Sequence, residues 1–312
     1  VLKYSLRRLG SAVPTLFLLI TFAFFLIRVA PGGPFDSERA LPADIEANLA
    51  AKYHLDEPLV FQYARYLWQI ARGDLGPSFH YRDWTVNDLI IQGAPVSFLL
   101  GAAALLLALV IGVITGAWAA LRQNRPADYT VMSVAMVGIS IPNFVMAPLL
   151  ILLFAIVLGW VPAGGWAFSF DRMVLPVVTL ALPMIAYIAR ITRGSMIEVL
   201  HSSYIRTVRA KGMPEKEVIL RHALKPALLP VISYLGPAAA AILTGSVVVE
   251  RIFTIPGIGS YFVQGALNRD YTLVMGVVIL YGVLIILFNF LVDLIYAFLD
   301  PRIRYDEGET ES

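Results

Sequence analysis

The sequence predicts an all-α polytopic membrane protein with six transmembrane helices. Three observations carry that prediction. Of 312 residues, 58% are hydrophobic and only 15% charged, against about 45–50% and about 25% in a soluble domain, and the mean hydropathy is +0.74. The apolar excess is gathered into long uncharged runs rather than spread at helix or strand period. The Lys and Arg residues fall unevenly between those runs. Together these features exclude a disordered chain and argue against a soluble enzyme.

The runs set the elements in order. A spanning helix needs roughly 17–25 mostly apolar residues. The first run, preceded by Lys3, Arg7 and Arg8, is 19 residues long and is followed by five more spans, so it reads as an uncleaved span over 9–29 rather than a signal peptide. The second gives a span over 97–121. The third, Tyr129 to Phe170, is 42 residues long and could hold two helices. Gly159, Pro162, Gly164 and Gly165 break it, so one helix over 130–158 and an irregular turn is the simpler reading. The remaining runs give spans over 173–190, 227–249 and 272–298.

Orientation follows from the basic residues. Fifteen Lys and Arg lie before span one, between spans two and three, between spans four and five, and after span six. Nine lie on the other side, and six of those belong to the first loop or its edge, where loops beyond about 60 residues count little. Both termini are therefore expected in the cytoplasm. That first loop carries more carboxylates than basic residues, and Asp44–Tyr53 and Pro58–Ile70 have helical apolar spacing, so a small folded cap is expected over 31–95. The rest divides into residues 1–30 with the first span, a five-helix membrane domain over 96–305 with a cytoplasmic loop over 191–225, and an acidic tail over 306–312.

Much chemistry is missing. There is no cysteine, and the net charge of +2 is too small to suggest nucleic-acid binding. No G-x-x-x-x-G-K-[ST] occurs, so this chain is expected to bind no ATP of its own. No H-E-x-x-H or G-x-S-x-G occurs, and His54, His80, His201 and His222 have no metal-ligand spacing. Catalytic, cofactor and metal sites are thus expected to be absent. Within the six spans Asp293 is the only carboxylate. It lies near the cytoplasmic end of span six, where an ion pair with Arg190 or Arg193 suits it better than a proton relay.

The loop between spans four and five is the most informative stretch. Gly212 suits a left-handed helix end, Pro214 the first position of a second helix, and Glu215 and Glu217 that helix's positive first turn. Lys225-Pro226 is expected to close the second helix and start span five. The result is a basic, tightly punctuated pair of short helices. Arg206-Thr207-Val208-Arg209-Ala210-Lys211-Gly212, followed by Arg221-His222-Ala223-Leu224-Lys225-Pro226-Ala227-Leu228-Leu229-Pro230, resembles the coupling loop of ABC importer permeases, in the version used by the peptide branch (dipeptide, oligopeptide, nickel). The resemblance continues through Arg28-Val29-Ala30-Pro31-Gly32, Tyr53-His54-Leu55-Asp56-Glu57-Pro58, Arg190-Ile191-Thr192-Arg193-Gly194-Ser195-Met196, Pro256-Gly257-Ile258-Gly259, Leu267-Asn268-Arg269-Asp270-Tyr271 and Asp300-Pro301-Arg302. The generic loop has an acidic residue where this chain has Arg206, so an ion pair made by that acid does not carry over.

The resemblance implies the type I permease fold in a bacterial inner membrane. It implies a homologous second permease, two cytoplasmic ATP-binding subunits that hold ATP and magnesium, a periplasmic or lipid-anchored binding protein, and a peptide substrate, oligopeptides above the other classes. It makes the helix around Tyr204, Ile205, Arg206, Arg209, Ala210 and Lys211, with Gly212 and Met213, the contact to an ATPase. Pro256, Gly257, Ile258 and Gly259 are expected to open a short helix running to about Leu267, at the periplasmic gate or the binding-protein surface. Glu250, Arg251, Arg269 and Asp270 flank it and are placed to pair locally. Ser140, Asn143, Tyr234, Thr244 and Ser246 are candidates among the polar span residues to line a pathway.

Overall fold

The computed structural model describes residues 2–29 and 54–299; within those helices the side chains at 2–9, 243–245, 293 and 296–299 lie outside the described set. The apolar spacing over Asp44–Tyr53, the basic residues after span six and the acidic tail also fall outside it. Eleven helices carry the described chain: α1 (Leu2–Val29), α2 (Leu59–Ala71), α3 (Val86–Leu121), α4 (Pro126–Ser140), α5 (Asn143–Val157), α6 (Phe170–Leu200), α7 (Ser203–Ala210), α8 (Glu215–Ala227), α9 (Leu229–Ile252), α10 (Ile258–Leu267) and α11 (Tyr271–Leu299). α1, α3, α6 and α11 are each long and apolar enough to cross a bilayer. The pairs α4–α5 and α8–α9 pass the same test together but are bent by 106° and 47°.

Two expected boundaries change. The third run is broken at Ile141-Pro142, not only at the later glycines. Ile141 is extended (ψ 116°), as steric contact with the following proline ring demands, and Pro142 then caps α5 without offering an N–H. α3 begins at Val86, inside the stretch expected to be cap. Thr85 and Asp88 form a reciprocal capping box there, which starts the helix before the uncharged run does.

α3 and α6 form the spine. The buried edge of α3 is a stripe of small residues, Gly101, Ala104, Ala108, Gly112 and Gly116, which lets the two backbones approach in lipid. A methyl at Gly116 would collide with the Ala189 carbonyl oxygen. Around the spine Leu100, Leu180, Ile188, Val231, Ile242 and Phe253 close the main apolar core. The outer faces are apolar too: Phe22 is 68% exposed, Leu106 63% and Ile156 67%. Such surface is stable against hydrocarbon or an apolar partner, not against water.

The bundle has two distinct ends. At one, the last turns of α3 and α6 carry α7 and α8 on a cluster of Ala120, Met196, Ile205, Val208, Val218 and Ala223. At the other, Phe24 of α1, Tyr66 of α2 and Met275 of α11 form one cluster. Val86, Ile258 and Leu273 tie α3, α10 and α11 in another. α2 coincides with the helical spacing expected from Pro58 to Ile70.

Candidate functional site

α7 is short, and its amphipathic spacing explains its seat. Ile205 and Val208, one turn apart, are buried at 0% and 6% exposure. Tyr204, Arg206, Thr207, Arg209 and Ala210 on the same helix are exposed. Ser202 caps its start by accepting from the Ile205 amide at 3.4 Å. The end is set by Gly212, at φ +79° with no atom within 4 Å of where a Cβ would stand, and by its amide donating to the Arg209 carbonyl at 2.9 Å. Space would admit any residue there; the backbone angle selects glycine. Lys211 is exposed beside it and Met213 half-buried against the cluster beneath.

Polar contacts brace this face from below. Arg209 donates to both oxygens of Glu215, at 3.1 and 2.6 Å, across the Gly212 turn. The guanidinium hydrogen bonds hold the Glu215 carboxyl below the usual carboxylate range and raise Arg209 in turn. The Tyr204 hydroxyl lies 2.7 Å from His222 Nδ1, and Arg221 reaches Glu217 at 2.6 Å. Among the described residues Arg206 and Lys211 carry no ion pair, nor do the exposed Lys216 and Lys225 of α8, so this surface leaves positive groups for another molecule. Pro214 is the cap of α8 (φ −64°, ψ 141°), one position earlier than expected, with Glu215 and Glu217 in the first turn. α8 does not close at Lys225-Pro226. It passes through a wide-turn stretch over Val218–Ala223 and continues to Ala227 before the bend into α9.

Arg193 has a partner not expected from the sequence. Arg193 binds Asp128 of α4, donating from Nε at 2.6 Å and Nη2 at 2.7 Å, and Asp128 also accepts from the Asn124 amide at 3.0 Å. Asp128 is 1% exposed and belongs to a spanning helix pair, so Asp293 is not the only carboxylate in the spans. Arg190 is exposed, its guanidinium 5.2 Å over the Tyr187 ring. The Asp293 side chain lies outside the described residues. Asp128 sits 65 residues from Arg193, and only the charge of both at the same end of neighbouring spans hinted at the pair.

At the opposite end α10 starts after Gly257 and ends at Leu267, as the motif indicates. Its opening is buried: Gly257, Ile258 and Gly259 are covered and only Pro256 is exposed. The reason is Glu250, itself 0% exposed. It accepts from Ser97 Oγ at 2.7 Å and from the Ser260 amide at 3.0 Å, while Ser97 Oγ accepts from the Ile258 amide at 2.9 Å. A side chain at Gly257 would run into a Glu250 carboxylate oxygen, and one at Gly259 into the Val247 backbone. Asp270 likewise serves backbone and hydroxyl donors: Ser78 Oγ, Thr272 Oγ1 at 2.9 Å and the Leu273 amide at 3.1 Å. The flanking carboxylates thus fasten α3, α9, α10 and the start of α11, a use that the expectation of local ion pairs missed.

The polar span residues are dispersed. Ser140 donates to the Met136 carbonyl at 2.8 Å. Tyr234 donates to Met184 Sδ at 3.3 Å and stacks on Tyr187. Ser246 is buried within hydrogen-bond reach of Glu250. Asn143 holds a buried Oδ1 without a partner among the described residues. The Thr244 side chain lies outside the described residues. Among the described residues no three His, Asp or Glu gather as a metal site.

A family model described as binding-protein-dependent transport system inner membrane component matches residues 108–305. The oligopeptide transport system permease protein OppB of Salmonella typhimurium is 61% identical over 306 residues, 98% of this chain and 100% of that protein. OppB of Escherichia coli K12 is 60% identical over the same length and shares. The dipeptide transport system permease protein DppB of Bacillus subtilis is 48% identical over 302 residues, 97% of this chain and 98% of its own. A solved structure of inward-facing conformations of the MetNI methionine ABC transporter matches the fold with a TM-score of 0.59 at 18% identity, over 68% of this chain and 96% of that one. A crystal structure of an amino acid ABC transporter with histidines matches at 0.54 and 20% identity, over 67% and 94%. This chain belongs to the family of binding-protein-dependent transport system inner membrane components, as a permease subunit built on the ABC importer type I fold.

Proposed function

We propose that the chain carries oligopeptides, delivered by an external binding protein, across a bacterial inner membrane as one of two permeases driven by two ATP-binding subunits. The observation that carries this reading is α7: a short helix bolted to the bundle by Ile205 and Val208, presenting Arg206 and Lys211 outward. A lever needs that combination of a rigid underside and an unsatisfied outer face. The basic-residue asymmetry supports a cytoplasmic position for α7 and both termini, with the α2–α10 end outside. ATP and magnesium bind in the partners, whose closure on ATP moves α7. The permease pair then passes from an inward-open to an outward-open packing, a population shift driven by the partners' differential affinity for ATP. Specificity rests mainly with the binding protein, which agrees with span hydroxyls such as Ser140 and Tyr234 being spent on internal contacts.

Purification of the tagged chain from its native membrane in mild detergent should bring a second permease and two ATP-binding proteins with it. A transport-active chain recovered without any ATPase overturns the reading. Gly212→Val places a β-branched residue at φ +79°, a strain of about 1–3 kcal/mol. Peptide capture by the binding protein should be unchanged while uptake falls at least tenfold; full uptake removes Gly212 from the coupling surface.

A further inference from the structure

Beneath α2, where it meets the end of α1 and the start of α11, lies a cavity of about 280 Å³ lined by Arg28, His54, Gln62, Arg65, Tyr66 and Thr272 among others. Its charge balance is uneven. Arg65 donates from Nη2 to Glu57 Oε1 at 2.7 Å, and His54 Nδ1 lies 3.2 Å from the same oxygen. Arg28, stacked 3.5 Å from the Phe24 ring centroid, gives its Nε to the neutral amide oxygen of Gln62 at 3.1 Å. Gln62 is fixed in that orientation, because its own Nε2 donates to the carbonyls of Leu55 and Glu57 at 3.1 and 2.8 Å. Among the described residues two guanidinium groups therefore share one carboxylate.

The donors are also underused. Arg65 Nη1 and the Tyr66 hydroxyl are buried without a partner among the described residues, and Tyr66 is 7% exposed. Burial pushes the Tyr66 hydroxyl far above its usual range, so it stays a donor at any working pH. Leaving a buried hydroxyl and a guanidinium N–H unsatisfied is costly. Planar guanidinium forks match oxyanions two bonds at a time. We propose that this cavity is an oxyanion site, taking a phosphate group on Arg28, Arg65 and Tyr66. Glu57 Oε2, also buried and unpartnered among the described residues, accepts from the P–OH of free phosphate or from a hydroxyl of a headgroup. Because Arg28 stands in the last turn of an apolar span, the phosphate comes either free from solution or on a phospholipid headgroup. The filled site ties the cap helix to the ends of the first and last spans.

The test uses the purified full chain in maltoside micelles stripped of phospholipid, at constant ionic strength set with chloride. Inorganic phosphate should raise Tm saturably by about 2–4 °C. Arg65→Gln should lose that response, whereas Arg82→Gln, at an exposed position away from the cavity, should keep it. If Arg65→Gln does not fold, Tyr66→Phe removes one hydroxyl without changing shape and should weaken the phosphate response several-fold. Phosphatidylglycerol that raises Tm in the wild type, abolishes the further effect of phosphate and fails to stabilise Arg65→Gln identifies the headgroup as the source. No dependence of Tm on phosphate or lipid, or equal dependence in the wild type, Arg65→Gln and Tyr66→Phe, overturns the proposal.

Discussion

Asp128 accepts two short hydrogen bonds from one guanidinium while 1% exposed, which makes it the most constrained charge at the α7 end. Removing one partner of a buried pair strands the other. Asp128→Asn should cost about 2–3 kcal/mol, read as a fall in Tm of the purified chain. Adding Arg193→Gln should restore part of the loss, because the stranded cation is then gone; strictly additive losses would show that the two residues act separately. The Arg209–Glu215 pair is different in kind, with both side chains substantially exposed, and contributes less than about 1 kcal/mol. Glu215 titrates below its unfolded value, so its contribution is full above the ordinary glutamate range and is lost as pH falls through the lowered value. A nitroxide placed by Lys211→Cys should be immobile at neutral pH and gain mobility only below the ordinary glutamate range. Glu215→Gln should reproduce the acid mobility at neutral pH; an unchanged spectrum in that variant would mean the turn is held by Gly212 alone.

At the scale of elements, α10 and α7 are built by opposite means. α7 keeps its polar face outside and its apolar residues beneath, so its sequence is readable: Gly212 marks its end, and Ile205 and Val208 sit one turn apart. α10 is announced by Pro256-Gly257-Ile258-Gly259, yet the reason for the glycines lies on another helix, at Glu250 and Val247. No local pattern reveals that. Because the obstacle at Gly259 is backbone, Gly259→Ala must push α10 off α9 and should cost about 1–3 kcal/mol, seen as lowered Tm and faster hydrogen exchange of the α10 amides. A neutral alanine would mean that α10 is seated loosely enough to move aside. The break before α5 is legible in principle, since a β-branched residue precedes a proline at Ile141-Pro142. The glycines from Gly159 onward give a stronger breaking signal and draw the expected boundary to themselves.

At the scale of the whole molecule, hydropathy places the spanning segments because lipid forbids unsatisfied backbone and so forces long apolar helices. Charge placement, by contrast, is only half legible. Basic residues can be counted, but their partners cannot: nothing in the charge pattern singles out Asp128 of α4 for Arg193, and Glu250 and Asp270 serve hydroxyls and amides. Such choices depend on which helices become neighbours, which periodicity does not encode. The same limit hides the cavity beneath α2, whose lining comes from α1, α2, the segments flanking α2 and the start of α11.

α1 packs chiefly on α11, with Ile20, Ala23 and Phe24 against Met275 and Ile279. These are the first and last described helices to leave the ribosome, and every other described helix is made between them. At about 5–20 residues per second the interval is on the order of tens of seconds. Throughout it the face of α1 that finally meets α11 rests against lipid, which its apolar residues tolerate. Among the described helices the last made thus returns to cover the first, and a chain halted before α11 leaves Ile20 and Ala23 without Met275 and Ile279.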